Sequence, residues 1–342
     1  MDYRPDTSLA AYSTMGLGGA AAYLVEVHKR GEVQTALQWA ASQGLPTMMI
    51  GGGSNIVWRD EGFPGLVIVN RISSFEVLEE DAVNRYLTIG AGEPWDDVVA
   101  RSVAAGMTGI EALSLVPGTA GGTPVQNVGA YGQEIADTLV SVEAYDTTAG
   151  RLINIPNADC GFGYRTSRFK TTDRGRFYIT AITLHLTITN PEPPFYGSVQ
   201  KYFEDHGITT YTPAALREAV IAIRTSKLPD PAVVRNTGSF FANPVISADQ
   251  LLNLTAQFEN LPHWLLDNGD AKLSAAWLIE QAGFKDYHDD ATGMATWPQQ
   301  ALVFINEHAK TTADLLAFKQ KVVDAVKDRF GITLQQEPEL LP

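Results

Sequence analysis

Apolar residues recur at helical spacing from Glu32 to Gln43 and stop before Gly44 and Pro46, which predicts an amphipathic helix. Thr47–Ile50 and Leu66–Val69 are short unbroken apolar runs of the kind buried strands carry, so the chain opens as β-α-β. Residues 72–80 and 86–91 predict a strand pair, and Pro94–Ala105 a helix with its proline in the first turn. From Val140 to Leu186 strand signals dominate, densest in the aromatic and β-branched run Phe177–Leu186. Pro191, Pro193 and Pro194 then break the chain. Thr212 is a fitting N-cap, and Pro213 a first helical residue, for a helix running to Ser226. Leu228-Pro229-Asp230-Pro231 reads as a linker and the main domain boundary. Beyond it, helices are expected around 272–282 and over 312–330. The latter carries a capping box at Thr311 and Asp314 and a glycine stop at Gly331. A short strand is expected at 332–334.

Charge and composition narrow the function classes. The 342 residues hold 25 Lys plus Arg against 39 Asp plus Glu, a net charge of −14. Such a chain is poorly suited to a polyanionic partner, so neither nucleic acid nor an anionic membrane surface is expected. The single Cys160 excludes an intrachain disulfide, and the six histidines show no H-x-H or H-x-x-x-H spacing, so no metal is expected. No signal peptide and no apolar run of about 20 residues is visible, which points to a cytoplasmic protein. The charge is uneven, however. Residues 159–235 hold ten basic and seven acidic side chains, a cationic island in an acidic chain. It is either a site for a small anion or a solvated basic face.

Glycine is uneven too. Gly51-Gly52-Gly53-Ser54-Asn55 follows a predicted strand, and consecutive glycines can aim backbone N–H groups at phosphate oxygens. A dinucleotide fingerprint of the G-x-G-x-x-G kind would lead into a helix. Here the glycines lead to another strand, so that reading fails. A bare glycine triplet serves a plain turn at least as often. The stretch from Val116 to Gly132 is less ordinary: five glycines and two prolines in a loop of a length uncommon unless it serves a site, the alternative being a structural Ω-loop. Two such loops suit one long diphosphate ligand.

Read in order, GGGSN at 51–55, PGTAGGTPVQNVGAYG at 117–132, YRTSRFK at 164–170, RTSKLPDP at 224–231, GSFFANP at 238–244 and EPE at 337–339 resemble one family. It is the UDP-N-acetylenolpyruvoylglucosamine reductases of peptidoglycan precursor synthesis. The resemblance implies an α+β chain. A vanillyl-alcohol-oxidase/PCMH-type FAD-binding fold of two α+β subdomains (1–71 with a C-terminal return over 326–342, and 72–228) would join a separate α+β substrate-binding domain over 229–325. It also implies the form with an extra tyrosine loop, at Pro194-Phe195-Tyr196-Gly197.

The implied reaction is NADPH-dependent reduction of UDP-N-acetylglucosamine enolpyruvate through bound FAD. By the same resemblance Ser239 is the proton donor, Arg165 stabilises the enolate, and Glu339, in preference to Glu337, polarises it. UDP-sugar binding transfers to Tyr196, Arg224, Lys227 and Asn243, with Tyr131 and Lys272 beside them. FAD binding transfers to Gly51, Gly52, Gly53, Ser54 and Asn55 at the pyrophosphate, and to Pro117, Gly118, Thr119, Gly122, Gln126, Asn127 and Gly129 elsewhere. The partners are then small molecules, and the expected state is a monomer. One departure stands out: the family follows its glutamate with an apolar residue and a cation, whereas Glu339 precedes Leu340-Leu341-Pro342. Two rival readings are another flavin oxidoreductase acting on a hydroxy acid or sugar, and a UDP-sugar-binding protein without chemistry.

Overall fold

A computed structural model describes residues 1–342. The chain forms two compact units: Met1–Thr7, Ala21–Gly53 and Phe63–Ser226 in the first, Ser8–Ala20, Ser54–Gly62 and Lys227–Pro342 in the second.

The first unit contains two sheets. One has four strands in the order Arg4–Ser8, Ala20–Val27, Phe63–Asn70, Thr47–Ile50. Phe63–Asn70 pairs in parallel with both neighbours, which requires crossovers. The first crossover is the Arg30–Ser42 helix, whose Val33, Ala36 and Ala40 pack on Val25, Val27, Leu66 and Ile68. The other sheet is antiparallel, ordered Arg151–Pro156, Leu139–Asp146, Phe177–Thr187, Asn84–Gly90, Phe75–Glu80. Its acidic edge strand Phe75–Glu80 is largely exposed, and charge on an edge discourages strand addition. The Trp95–Ala104 helix buries Trp95, Val98 and Val99 among Leu87, Ile89, Ile182 and Leu184. The helices Gly197–Asp205 and Pro213–Lys227 share a smaller core made by Val199, Phe203, Leu216, Ala219, Val220 and Ile223.

The second unit is built on an antiparallel sheet, Asn236–Ser239, Gln300–Asn306, Met294–Trp297 and His288–Asp289. Against it lies the Thr312–Phe330 helix, burying Leu315, Phe318, Val322 and Val326 with Phe240, Phe241 and Phe304. The helix start is held twice. Thr311 and Asp314 make the expected capping box, and Asp60 accepts the Thr312 and Ala313 N–H groups at 2.7 and 2.9 Å. A three-stranded sheet, Val245–Ile246, Ala271–Leu273, His263–Leu265, completes this unit.

Most expected elements are present with shifted ends; Thr47–Ile50 and Thr312–Phe330 match residue for residue. Three differ. No strand forms at 332–334: Ile332 and Leu334 are buried in the aromatic core, and strand pairing is instead made by Glu339–Leu341, parallel to Ile56–Trp58. The helix expected from 272 begins only at Ala275, capped by Ser274, because Lys272 belongs to a strand. It continues as one wide turn that Gly283 ends at φ +95°. Two short helices, Gly197–Asp205 and Ala248–Gln257, are not among the expected elements, although Ser247 and Gln250 form a capping box for the latter.

Candidate functional site

In the first unit the two glycine loops touch. A Cβ on Gly51 would lie 2.2 Å from Thr119 Oγ1, and one on Gly52 would lie 3.1 Å from Gly118 Cα. Gly53 and Gly118 have φ of +70° and +122°, which side chains resist. Gly122 is different: its Cβ would meet only Thr119 Oγ1, at 3.8 Å. The second loop is tied to the fold by its backbone. Gly118 O accepts the Trp95 N–H, and the Ala120 and Gly121 N–H groups donate to Glu93 O and Ala91 O at 2.9 Å. Thr119 Oγ1 is buried and has no hydrogen-bond partner, a costly state for a hydroxyl unless a ligand meets it. The buried Glu93 carboxylate nearby is neutralised by Arg101 at 2.7 Å. Close-packed glycine backbone, an orphaned hydroxyl and no bare carboxylate fit a diphosphate such as that of FAD.

Further along this loop, side chains hold a strained backbone. Four of the six non-glycine residues with positive φ are Leu115, Asn127, Tyr131 and Arg165. Such conformations cost about 1–3 kcal/mol each and persist only where neighbours enforce them. Asn127 is buried, and its amide donates to Glu134 Oε2 at 2.7 Å and to Gly163 O, while its Oδ1 accepts the Ala136 N–H. Its side chain is thus committed to shaping the loop. Gly129 pairs with Glu134 in a short hairpin, and Arg165 donates to Gly129 O at 2.9 Å. Tyr131 meets Tyr196 edge-on at 5.6 Å. The Tyr131 hydroxyl faces the Arg224 guanidinium. Burial pushes the phenol up in pKa, partly offset by that cation. Arg224 Nη2 donates to Leu115 O at 3.2 Å, whereas its Nε is buried without a partner. Burial lowers the Arg224 pKa, yet a guanidinium remains charged.

The cationic island is less available than its charge suggests. Arg168 pairs with Asp173, Arg176 with Asp146 and Asp173, Lys201 with Asp205, and Arg217 with Asp96. The Arg176 hydrogen bond holds the Asp146 carboxyl down at about 2. Much of the island is therefore structural.

The second unit holds Ser54, Asn55, Lys227, Ser239, Asn243, Lys272 and Glu339. Ser239 ends the Asn236–Ser239 strand opposite Val303, after Gly238 at φ +72°. The following residues receive the C-terminal tail: Phe240 O accepts the Glu337 N–H, and the Ala242 N–H donates to Gln335 O, both at 3.0 Å. Two residues on, the Glu339 N–H donates to Asn55 O at 2.9 Å. The tail thus joins the serine motif to the end of the first glycine loop. Leu340 and Leu341 pair with Val57 and Trp58, and Leu341 is buried, so apolar pairing fixes a tail that lacks the expected cation. Asn243 Oδ1 accepts the Ala275 N–H at 3.0 Å. Lys272 lies between Val245 and Trp264 across the small sheet, its Nζ 5.9 Å from the Trp264 ring. Lys227, the last residue of its helix, is exposed.

Sequence reasoning missed the residues that hold these loops: Glu134, Asp96, Arg217 and Ser114. Arg217 meets Asp96 across 121 positions, so nothing local marks that pair.

Comparison with known proteins agrees with this anatomy. A family described as "FAD binding domain" matches residues 21–155, and "UDP-N-acetylenolpyruvoylglucosamine reductase, C-terminal domain" matches 230–341. The chain is 37% identical to the UDP-N-acetylenolpyruvoylglucosamine reductase of Chromobacterium violaceum, covering 100% of this chain and 99% of that one. It is 39% identical to that of Alcanivorax borkumensis, covering 98% and 96%. The crystal structure of the Thermus caldophilus reductase superposes with a TM-score of 0.69 over 100% of both chains at 23% identity, which shows the shared fold. The class is therefore an oxidoreductase with an α+β FAD-binding fold and a separate C-terminal domain. The chain belongs to the UDP-N-acetylenolpyruvoylglucosamine reductase family. No helix is long and apolar enough to cross a membrane.

Proposed function

We propose that this protein reduces UDP-N-acetylglucosamine enolpyruvate to UDP-N-acetylmuramate in the cytoplasm, with NADPH as hydride donor and FAD as bound cofactor. FAD, when bound, supplies the chemistry that relays a hydride from the nicotinamide to the substrate. Gly51, Gly52 and Thr119, with Gly118 and Gly129 on the second loop, would hold it. Hydride addition at the enolpyruvyl β-carbon places negative charge on the α-carbon and its carboxylate. Ser239 would hold the proton that completes the α-carbon, because a positioned hydroxyl can act as a general acid where the developing charge is stabilised. Arg165 would oppose the charge on the carboxylate, its guanidinium oriented through Gly129 O. Glu339 would, by the family resemblance, polarise the enolate. Arg224, with Tyr131 and Tyr196 around it, and Lys227 would take the diphosphate of the UDP-sugar. Asn243 and Lys272 of the second unit would, by the family resemblance, also bind the UDP-sugar.

One observation carries the reading most of the way: the tail bearing Glu339 is hydrogen-bonded along the segment that begins at Ser239. That pairing supports reading Ser239 and Glu339 as parts of one reaction centre. The test is NADPH oxidation dependent on UDP-N-acetylglucosamine enolpyruvate. In Ser239→Ala, reduction of the bound flavin by NADPH should persist while turnover falls by about 100-fold or more. Equal loss of both half-reactions would remove Ser239 from the proton transfer.

A further inference from the structure

The N-terminal turn of the Trp95–Ala104 helix carries a salt bridge that no part of the reaction scheme above uses. Arg217 makes a two-pronged contact to Asp96, Nη1 to Oδ1 at 2.6 Å and Nη2 to Oδ2 at 2.9 Å, and also donates to Ser114 Oγ at 2.8 Å. The pair is partly buried, with side-chain exposures of 16% and 31%. Asp96 Oδ1 accepts a second bond, the Leu115 N–H at 2.7 Å. Leu115 has φ +55°, a conformation a leucine adopts only when held there. The strained peptide turns the Leu115 carbonyl to Arg224, which donates to it. Asp96 thus fixes the N–H side of a residue whose C=O side fixes Arg224.

The electrostatics run the same way. Burial alone would raise the Asp96 carboxyl, but its hydrogen bonds to Arg217 and Leu115, with the nearby Arg224 charge, hold it below the ordinary value. It is the anion between two arginines. Arg224 is bonded at Nη2 and orphaned at Nε, so its guanidinium is oriented from behind with bonding capacity unspent.

We propose that Asp96 and Arg217 are positioning residues for UDP-sugar binding: they lock Leu115 in its strained conformation and so present Arg224 to the diphosphate. The proposal rests on the reading of Arg224 as a diphosphate ligand. The flavin loop has separate supports next door, since the Trp95 N–H donates to Gly118 O and Trp95 Nε1 to Leu113 O. Loss of Asp96 should therefore spare flavin.

The experiment uses the flavin-loaded full chain, with UDP as probe in calorimetry and steady-state kinetics on the enolpyruvyl substrate. Asp96→Asn and Arg217→Lys, the second retaining charge but losing the fork, should each weaken UDP by about tenfold, in line with couplings between contacting residues. The substrate KM should rise in step, while kcat and flavin content stay within about twofold of wild type. In an Arg224→Gln background, Asp96→Asn should add less than about twofold, because its route is already cut. If both single variants bind UDP normally while Arg224→Gln does not, the positioning role is overturned and the reading of Arg224 stands. A fall in kcat or in flavin content at unchanged UDP affinity also overturns the positioning role. If Arg224→Gln itself binds UDP as wild type does, the reading of Arg224 fails and this proposal falls with it.

Discussion

The two units support their candidate functional residues by opposite means. In the first, these residues sit on loops: Asn127, Tyr131 and Arg165 all have positive φ, and polar side chains such as Glu134 hold the backbone in place. In the second, Ser239 and Glu339 lie on strand ends backed by an aromatic cluster. Phe304 stacks on Phe240 at 4.6 Å and meets Phe241 and Phe318 edge-on at 5.4 and 4.8 Å. A loop can bring backbone N–H groups close to a ligand, but each strained residue needs a dedicated hydrogen bond. A strand end offers less reach and is held by backbone pairing together with the packing behind it. The first arrangement suits a diphosphate cradle. The second suits a single side chain that must hold one proton.

The largest effect is expected where aromatic packing backs the strand ends. Phe304 is fully buried, and Phe304→Ala should cost about 3–5 kcal/mol through lost burial and a residual cavity. Hydrogen exchange should show protection lost across Gln300–Asn306 and Thr312–Phe330 and retained in Phe177–Thr187 of the first unit. Uniform loss across both units would break the comparison. Next in size is Gly51→Ala. Its Cβ would lie 2.2 Å from Thr119 Oγ1, a buried β-branched neighbour with little room to give. An overpacking cost of about 1–3 kcal/mol corresponds to roughly 10–100-fold weaker flavin binding, read by flavin retention on dilution. Gly31→Ala, outside both loops and with nothing within 4 Å of the added atom, is the matched control and should keep its flavin.

The same contrast governs what the sequence made legible. The glycine loops announce themselves because close approach leaves no room for a side chain: Gly52 meets the Gly118 backbone, and Gly51 is pressed against Thr119 Oγ1. The Thr311–Asp314 box and the Gly331 stop, at φ +69°, are equally local and equally readable. What stayed hidden is long-range. The apolar pair Ile332 and Leu334 looks like a strand, but their burial is satisfied by the aromatic core, and the strand partner of Ile56–Trp58 is the next segment, Glu339–Leu341. The basic island left an anion site and a solvated face both open, because composition cannot show that Arg168, Arg176, Lys201 and Arg217 each face an aspartate. Nor could it show that Asn127, placed by its motif at the cofactor, spends its side chain on Glu134, Gly163 and Ala136.

The smallest expected effect concerns polar support in the first unit and depends on pH. Arg176 grips Asp146 through two hydrogen bonds of 2.9 and 2.7 Å, and the carboxyl, 3% exposed, is held at about 2. An unfolded aspartate titrates near ~3.9, so the folded state binds this proton more weakly than the unfolded one. The pair's contribution is then complete above about pH 5 and is lost as pH falls through about 4 toward 2. Asp146→Asn should accordingly lower Tm at pH 7, and the gap to wild type should close as the pH is brought to 3 and below. The Leu139–Asp146 strand lies between Phe177–Thr187 and Arg151–Pro156, so its amides should report the change first. A gap that stays constant from pH 7 to pH 3 would mean that Asp146 acts through shape rather than charge. The first unit would then owe less to its ion pairs than the second owes to its rings.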